Sequence, residues 1–178
     1  MTENVQPTAA VVVIGDEVLS GKVDEQNAAF MIRRFRSLGV SLKRVVIVPD
    51  EMEDIGEAVR SASERFDIVC TTGGVGPTHD DITIEAIAQA FGVSTVSHPR
   101  LEALVREYFG ADASEAQLRL ALVPDGTTLD GGDGPPWPTA RFRNVVIFPG
   151  IPRLMASKFD AIAHTFGGAP MYAGSLEV

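Results

Sequence analysis

Continuous apolar runs, each closed by glycine or a polar residue and each followed by a stretch of helical period, divide the chain. Ala9-Ala10-Val11-Val12-Val13-Ile14 ends in Gly15, Val45-Val46-Ile47-Val48 ends in Pro49-Asp50, and the run from Phe66 to Thr71 leads into Thr72-Gly73-Gly74. Runs without polar alternation are the pattern of strands buried on both faces of a parallel sheet. Between them the apolar positions recur at helical spacing. Phe30, Met31, Phe35 and Leu38 precede the terminating Gly39, and Ile55, Ala58, Val59 and Ala62 mark a helix over about residues 51–65. Three strand-helix units of this kind predict right-handed crossovers and helices on both faces of the sheet. Further helices are predicted over 82–91, 101–108 and 113–122, two strands over 139–142 and 144–148 around Arg143, and a last helix over 152–166 with Leu154, Met155, Phe159 and Ile162 inward. Residues 125–138, dense in Gly, Pro and Asp, predict a loop or loose hairpin over the sheet edge. Trp137 in that loop either packs beneath it or stacks on a flat ligand ring.

Composition narrows the picture. The chain has 178 residues, 45% of them hydrophobic, which suits one domain with a sizeable core. That domain is expected over residues 1–170, with 171–178 beginning a further strand or C-terminal segment. Fifteen basic against 24 acidic residues give a net charge of −9, which argues against nonspecific nucleic-acid binding and against an anionic membrane surface. The single cysteine, Cys70, excludes a disulfide within the chain and points to a reducing compartment. The N-terminus is polar and the first apolar run is too short for a signal peptide or a membrane span, so a cytoplasmic location is expected. The lone histidines have no second His or Cys at metal-ligand spacing, and His98 reads as a surface or capping residue.

The candidate chemistry centres on Thr71-Thr72-Gly73-Gly74-Val75-Gly76-Pro77-Thr78-His79-Asp80-Asp81. Glycines let a backbone approach a ligand closely, and a helix start behind them offers unpaired N–H groups and the positive end of a dipole. Such a corner favours phosphate. Asp80 and Asp81 would repel a bare phosphate unless a divalent cation or a cationic side chain sits between them, so the corner reads as a nucleotide or pyrophosphate site with metal-assisted chemistry. The bland alternative is structural: Thr78 and Asp81 have the spacing of a capping box. Other strand ends carry similar residues. Gly15-Asp16-Glu17 follows the first strand, Asp50 the second, and Pro149-Gly150 the last, on the edge where open α/β sheets place ligands.

Taken together, Gly15-Asp16-Glu17 with Gly21 and Asn27, Pro49-Asp50, the corner from Thr71 to Asp81 with Thr83, and Pro149-Gly150-Ile151-Pro152 resemble the molybdopterin-binding MoaB/Mog domain. The likeness spans about residues 9–165 and is nearest to the CinA N-terminal, competence/damage-inducible branch. It implies a three-layer α/β/α sandwich with a mostly parallel sheet, often assembled as a trimer, dimer or other homo-oligomer. Mog-type members bind molybdopterin and adenylylate it with ATP and magnesium in molybdenum cofactor biosynthesis. The CinA branch is associated with metal-dependent hydrolysis of a nucleotide pyrophosphate such as ADP-ribose, and a related domain of FAD synthases with FAD hydrolysis. Carried over by motif, the resemblance makes Asp81 and Asp50 the catalytic carboxylates and, with Asp80, the ligands of magnesium or a transition metal. It assigns nucleotide or pterin binding to Gly15, Asp16, Glu17, Asn27, Thr72, Gly73, Gly74, Gly76, Pro77, Thr78, Pro149 and Gly150, with Lys22 offsetting phosphate charge. Two departures bear on the choice. Residues 134–142 lack the Ala-Pro-Gly stretch usual in CinA, and 143–150 look more like the FAD-synthase-linked and stand-alone members. Asp80 stands where Mog-type proteins place a basic residue, which counts against pterin adenylylation. No stretch resembling the CinA deamidase domain is present, so deamidation is not expected.

Overall fold

The structure, a computed structural model, describes residues 6–132 and 136–167. The first apolar run forms β1 (Thr8–Ile14), with the short helix α1 (Asp16–Leu19) directly behind it, and α2 (Asn27–Ser37) follows. Next come β2 (Ser41–Val48), α3 (Met52–Ser63), β3 (Ile68–Thr72), α4 (Thr83–Ala90), β4 (Thr95–Ser97), α5 (Pro99–Phe109) and α6 (Glu115–Leu118). The chain continues through β5 (Leu122–Pro124), β6 (Thr128–Asp130), β7 (Thr139–Phe142), β8 (Val145–Phe148) and α7 (Pro152–Ile162).

One six-stranded sheet runs in the order β2-β1-β3-β8-β7-β6. β1 pairs in parallel with β2 and β3, and β3 with β8, while β7 and β6 close the far side antiparallel. The unbroken apolar runs are explained by burial on both faces. Val11 and Val13 pack under Met31 and Phe35 of α2 and Met155 and Phe159 of α7. Ala10, Val12 and Ile14 point the other way, against Ile55 and Val59 of α3 and Ala86 and Ile87 of α4. The expected three layers and mostly parallel sheet are what the chain adopts. Phe35, Phe159 and Phe166 interlock with ring centroids 5.0–5.6 Å apart, and each buried Phe contributes roughly 1.5–3 kcal/mol. Among the described residues no helix is long and apolar enough to cross a membrane.

Several expectations need correction. Asp16–Leu19, for which no element was expected, turns once as α1. The stretch 113–122, read as one helix, is α6 followed by a 3-10 turn, Arg119–Ala121, because Leu122 leaves to pair with Ser97. That β4–β5 ribbon was not expected. Residues 125–138 include a real strand, β6, whose Asp130 pairs opposite Thr139. Leu154, expected in the core, is 38% exposed. The expectation for His98 holds: it caps α5, its Nδ1 accepting from the Arg100 N–H at 3.3 Å. The expectation for 171–178 lies outside the described residues.

Candidate functional site

Because β2, β1, β3 and β8 are parallel neighbours, their carboxyl ends bring Asp50, Gly15, Gly73 and Pro149 to one edge of the sheet. The edge is held together from below. Asn27, only 6% exposed, donates from Nδ2 to Thr72 Oγ1 (2.7 Å) and to the Gly150 carbonyl (2.8 Å), and the Thr72 hydroxyl donates to the Pro149 carbonyl (2.9 Å). Asn27 and Thr72, expected to touch ligand, therefore lie beneath the edge and clamp β3 to the segment after β8.

Gly73 has φ +107°, and a Cβ there would run into the Ile14 carbonyl oxygen. Only glycine lets β3 pass this close to β1 while turning. A Cβ on Gly76 would lie 2.6 Å from Asp81 Oδ2, and one on Gly74 would lie 3.5 Å from Asp50 Oδ1. The glycine loop thus runs between two carboxylates, one against each end. The helix expected over 82–91 is α4, but its first N–H, that of Thr83, is not open to a ligand, because the Gly74 carbonyl takes it at 3.0 Å.

Asp81 closes the loop before α4, residues 75–82. Its Oδ2 accepts from the Thr78 N–H at 2.9 Å and from the Thr78 hydroxyl in a short hydrogen bond. The pairing resembles half a capping box, but α4 begins later, at Thr83. Burial by itself would raise the Asp81 carboxyl. The Thr78 hydroxyl, the Gly76 and Thr78 N–H groups and the Arg119 charge outweigh burial and hold it below the usual carboxylate range. Arg119 is anchored to the same loop, donating from Nη2 to the Asp81 carbonyl (3.1 Å) and to Glu85 Oε1 (2.9 Å).

Asp50 is shifted in the opposite sense. Burial pushes its carboxyl up and the charges of Glu17, Asp16 and Asp81 add to this, against one N–H from Asp16 at 2.9 Å. A carboxyl raised on folding costs stability once ionised. That deficit is absent well below the ordinary carboxylate range and sets in as pH rises through it. Asp50→Asn keeps an acceptor for the Asp16 N–H and is expected to be more stable than wild type by about 0.5 kcal/mol at neutral pH, solvent screening included. Urea denaturation at neutral and at acid pH checks it, because the advantage should disappear in acid.

The two carboxylates face different spaces. Asp50 lines an open basin of about 580 Å³ with Asp16, Glu17, Ser20, Lys22, His79, Asp80 and Ile82. Asp81 and Gly76 line a cavity of about 230 Å³ whose walls include Ile84, Leu101, Leu120, Leu122, Trp137, Ala140, Pro149 and Leu154, with Glu85, Arg119 and Lys158 as its charged members. Asp80 is nearly fully exposed beside His79 and belongs to the basin, so Asp50, Asp80 and Asp81 do not converge as one ligand set. Among the described residues no group of three or more His, Cys, Asp or Glu is placed to hold a metal ion. Hard carboxylates a few at a time, beside room for water and phosphate, fit magnesium, which keeps several waters and takes phosphate oxygens.

Sequence reasoning missed Arg119, Glu85 and Lys158. Lys158 lies one helical turn after Leu154 on α7, a spacing that assigns both to one face, but nothing local says that this face borders a cavity. Its ammonium donates to the carbonyls of Trp137 (2.6 Å) and Pro138 (3.0 Å), and burial pushes its pKa down to about 8. Cys70 is fully buried and its thiol is pushed far up, which leaves no nucleophile there.

Comparison with known proteins agrees with this fold. Residues 10–167 match the family described as a probable molybdopterin binding domain. A protein of Pyrobaculum calidifontis is 37% identical over 162 residues, which cover 86% of this chain and 62% of that one. A probable FAD synthase of Caenorhabditis briggsae is 33% identical over 177 residues, 87% of this chain but 34% of the synthase. The crystal structure of CinA, of unknown function, from Thermoplasma acidophilum superposes with a TM-score of 0.83 at 29% identity over 92% of this chain and 99% of that one. The chain therefore belongs to the molybdopterin-binding (MoaB/Mog) domain family and is a CinA-like member of it.

Proposed function

We propose that this domain hydrolyses a nucleotide pyrophosphate, of the ADP-ribose or FAD class, with the help of a divalent cation. One observation carries the reading: the glycine loop passes between Asp50 and Asp81, so a phosphoanhydride lying on the loop has a carboxylate at either end. At Gly74 and Gly76 a side chain would strike Thr83 Oγ1 and Asp81 Oδ2, so only glycine lets the loop hold its course between the two carboxylates. Asp50 and Asp81, at the two ends of the loop, would hold the cation, with Asp16 and Glu17 supporting from the basin. Bound there, it would neutralise charge developing on the phosphate oxygens. Water attacks phosphorus, the P–O–P bridge breaks, and the proton passes to a basin carboxylate, Asp50 being the nearest to the loop. Lys22 faces the same basin and offsets the charge of the departing phosphate.

A second reading, binding or adenylylation of a molybdopterin, draws on the description of the family and on the apolar cavity beside Asp81. One assay separates the two. The purified chain is incubated with magnesium or manganese and with ADP-ribose, FAD, NAD or ATP, and products are read by mass spectrometry. Release of AMP from a dinucleotide is the expected result. Intact substrates in every tube, together with ATP-dependent adenylylation of an added pterin, would transfer the assignment to the second reading.

A further inference from the structure

β2 is the outermost strand of the sheet, and among the described residues no strand pairs with its outer side. Its inner side is fixed by β1. The Val48 carbonyl accepts from the Gly15 N–H, and the parallel register sets Arg44, Val46 and Val48 beside Ala10, Val12 and Ile14. Backbone groups alternate sides along a strand, so the N–H and C=O groups of Lys43, Val45 and Ile47 point away from the sheet. The side chains of the same three residues are exposed, Val45 by 39% and Ile47 by 40%. A row of open donors and acceptors flanked by exposed Val and Ile is the surface that another strand satisfies. Charge says which strand. β2 holds two cations, Lys43 and Arg44, and no acid, while Asp50, Glu51, Glu53 and Asp54 follow its carboxyl end. A groove of about 370 Å³ runs beside the edge, with Arg44, Val46 and Val48 along the strand and Asp54, Glu57 and Ala58 of α3 across it. An antiparallel copy of β2 sets each basic end toward the other's acidic end.

We propose that β2 pairs with β2 of a second copy of this chain, antiparallel about a two-fold axis at Val45, so that two six-stranded sheets become one. The register follows by elimination. A centre at Lys43 or Arg44 sets like charges directly opposite each other, which is unfavourable. A centre at Val46 or Ile47 sets Pro49, which has no N–H, against the outward Lys43 or Val45. Only a centre at Val45 pairs every outward residue: Val45 meets Val45 and Lys43 meets Ile47, for roughly six hydrogen bonds in all. Arg44 then lies opposite Val46 on the α3 side, at the mouth of the other copy's groove and toward its Asp54 and Glu57. Lysine on an edge ordinarily blunts it. Here the Lys43 stem covers the other copy's Ile47 and leaves its ammonium in water. The inference is independent of the hydrolase reading.

Sedimentation of the full chain over a range of concentrations should show a monomer–dimer equilibrium. Val45→Lys, which opposes two ammonium groups at the axis, should weaken the dimer at least about tenfold, with an unchanged circular dichroism spectrum because the replaced side chain is exposed. Arg44→Glu should weaken it by a similar factor, and adding Glu57→Arg should restore it. The rescue separates the contact between copies from the loss of Arg44's own position over the Phe66 ring, 5.9 Å away. Cross-linking reads the register. Directly opposite Cα atoms in a hydrogen-bonded pair lie about 5.5 Å apart, within the span of a disulfide, so Val45→Cys should give a covalent dimer under mild oxidation. Ile47→Cys should not, because its twin would lie four residues along the strand, about 13 Å away. The native Cys70 is fully buried and does not interfere. A monomer at every concentration overturns the proposal. So does a trimer, a dimer that Val45→Lys leaves intact, or equal cross-linking at positions 45 and 47.

Discussion

Asp81→Asn is expected to lower kcat/KM for a nucleotide pyrophosphate by at least about a hundredfold, the scale seen when a group that stabilises transition-state charge is removed. The substitution is nearly isosteric. The amide oxygen can still accept from the Thr78 N–H and hydroxyl, so the loop 75–82 keeps its closure. What disappears is a negative charge that the surrounding donors hold ionised. Exchanging a charged acceptor for a neutral one costs about 1 kcal/mol of stability, or about 2–4 °C in Tm for a chain of this size. Kinetics and a thermal melt on the same preparation therefore separate the two effects. Asp80→Asn is the matched control, since its side chain is 92% exposed and faces the basin; it should change kcat/KM by less than about threefold, as an exposed, screened charge does. Full activity in Asp81→Asn would remove this residue from the chemistry, and an equal loss in both variants would restore the two adjacent aspartates as one functional pair.

The largest effect on stability is expected at Gly73. Gly73→Ala forces a Cβ into the Ile14 carbonyl oxygen, and the backbone at φ +107° is one that L-residues rarely adopt. Either β3 moves away from β1 or the turn unwinds. A loss of about 3 kcal/mol or more follows from the sum of a close clash and a strained backbone, read as a fall in the urea midpoint without change in slope. Gly21→Ala isolates the backbone contribution. Gly21 also has a positive φ, +71°, but a Cβ there meets no atom within 4 Å, so only about 1 kcal/mol is expected. If Gly73→Ala costs no more than Gly21→Ala, the close approach of β3 to β1 is not what constrains the corner. Activity in any surviving Gly73→Ala protein should fall further than stability does, because the loop it distorts carries Gly74 and Gly76 past the two carboxylates.

Most of the site's cast was legible in the chain, while its staging was not. Gly74, Gly76, Asp50 and Asp81 stand at strand ends or in a glycine turn, and that placement follows from local pattern. That Asp50 and Asp81 lie on opposite sides of the loop, one on an open basin and the other on an apolar cavity, depends on how residues 75–82 fold back over Asp81. Asn27 was grouped with the ligand contacts because it belongs to the same motif. Its burial against Thr72 and Gly150 comes from α2 packing across the ends of β3 and the segment after β8.

The sequence by itself determined the layers. Unbroken Val and Ile runs demand a sheet covered on both faces, and the helical stripes between them supply the covers, since apolar surface must leave water on both sides of each strand. Only the tertiary structure decided the partners. Thr95–Ser97 and Leu122–Pro124 are too short to declare themselves, and become strands because each satisfies the other's backbone groups. Likewise Arg119, Trp137 and Lys158 come from a 3-10 turn, a loop and a helix, and meet around one cavity only because the sheet inserts β8 beside β3 and carries α7 back over it. A local pattern states which side chains must be buried; which distant segment buries them is settled by the competition among all such surfaces for one core.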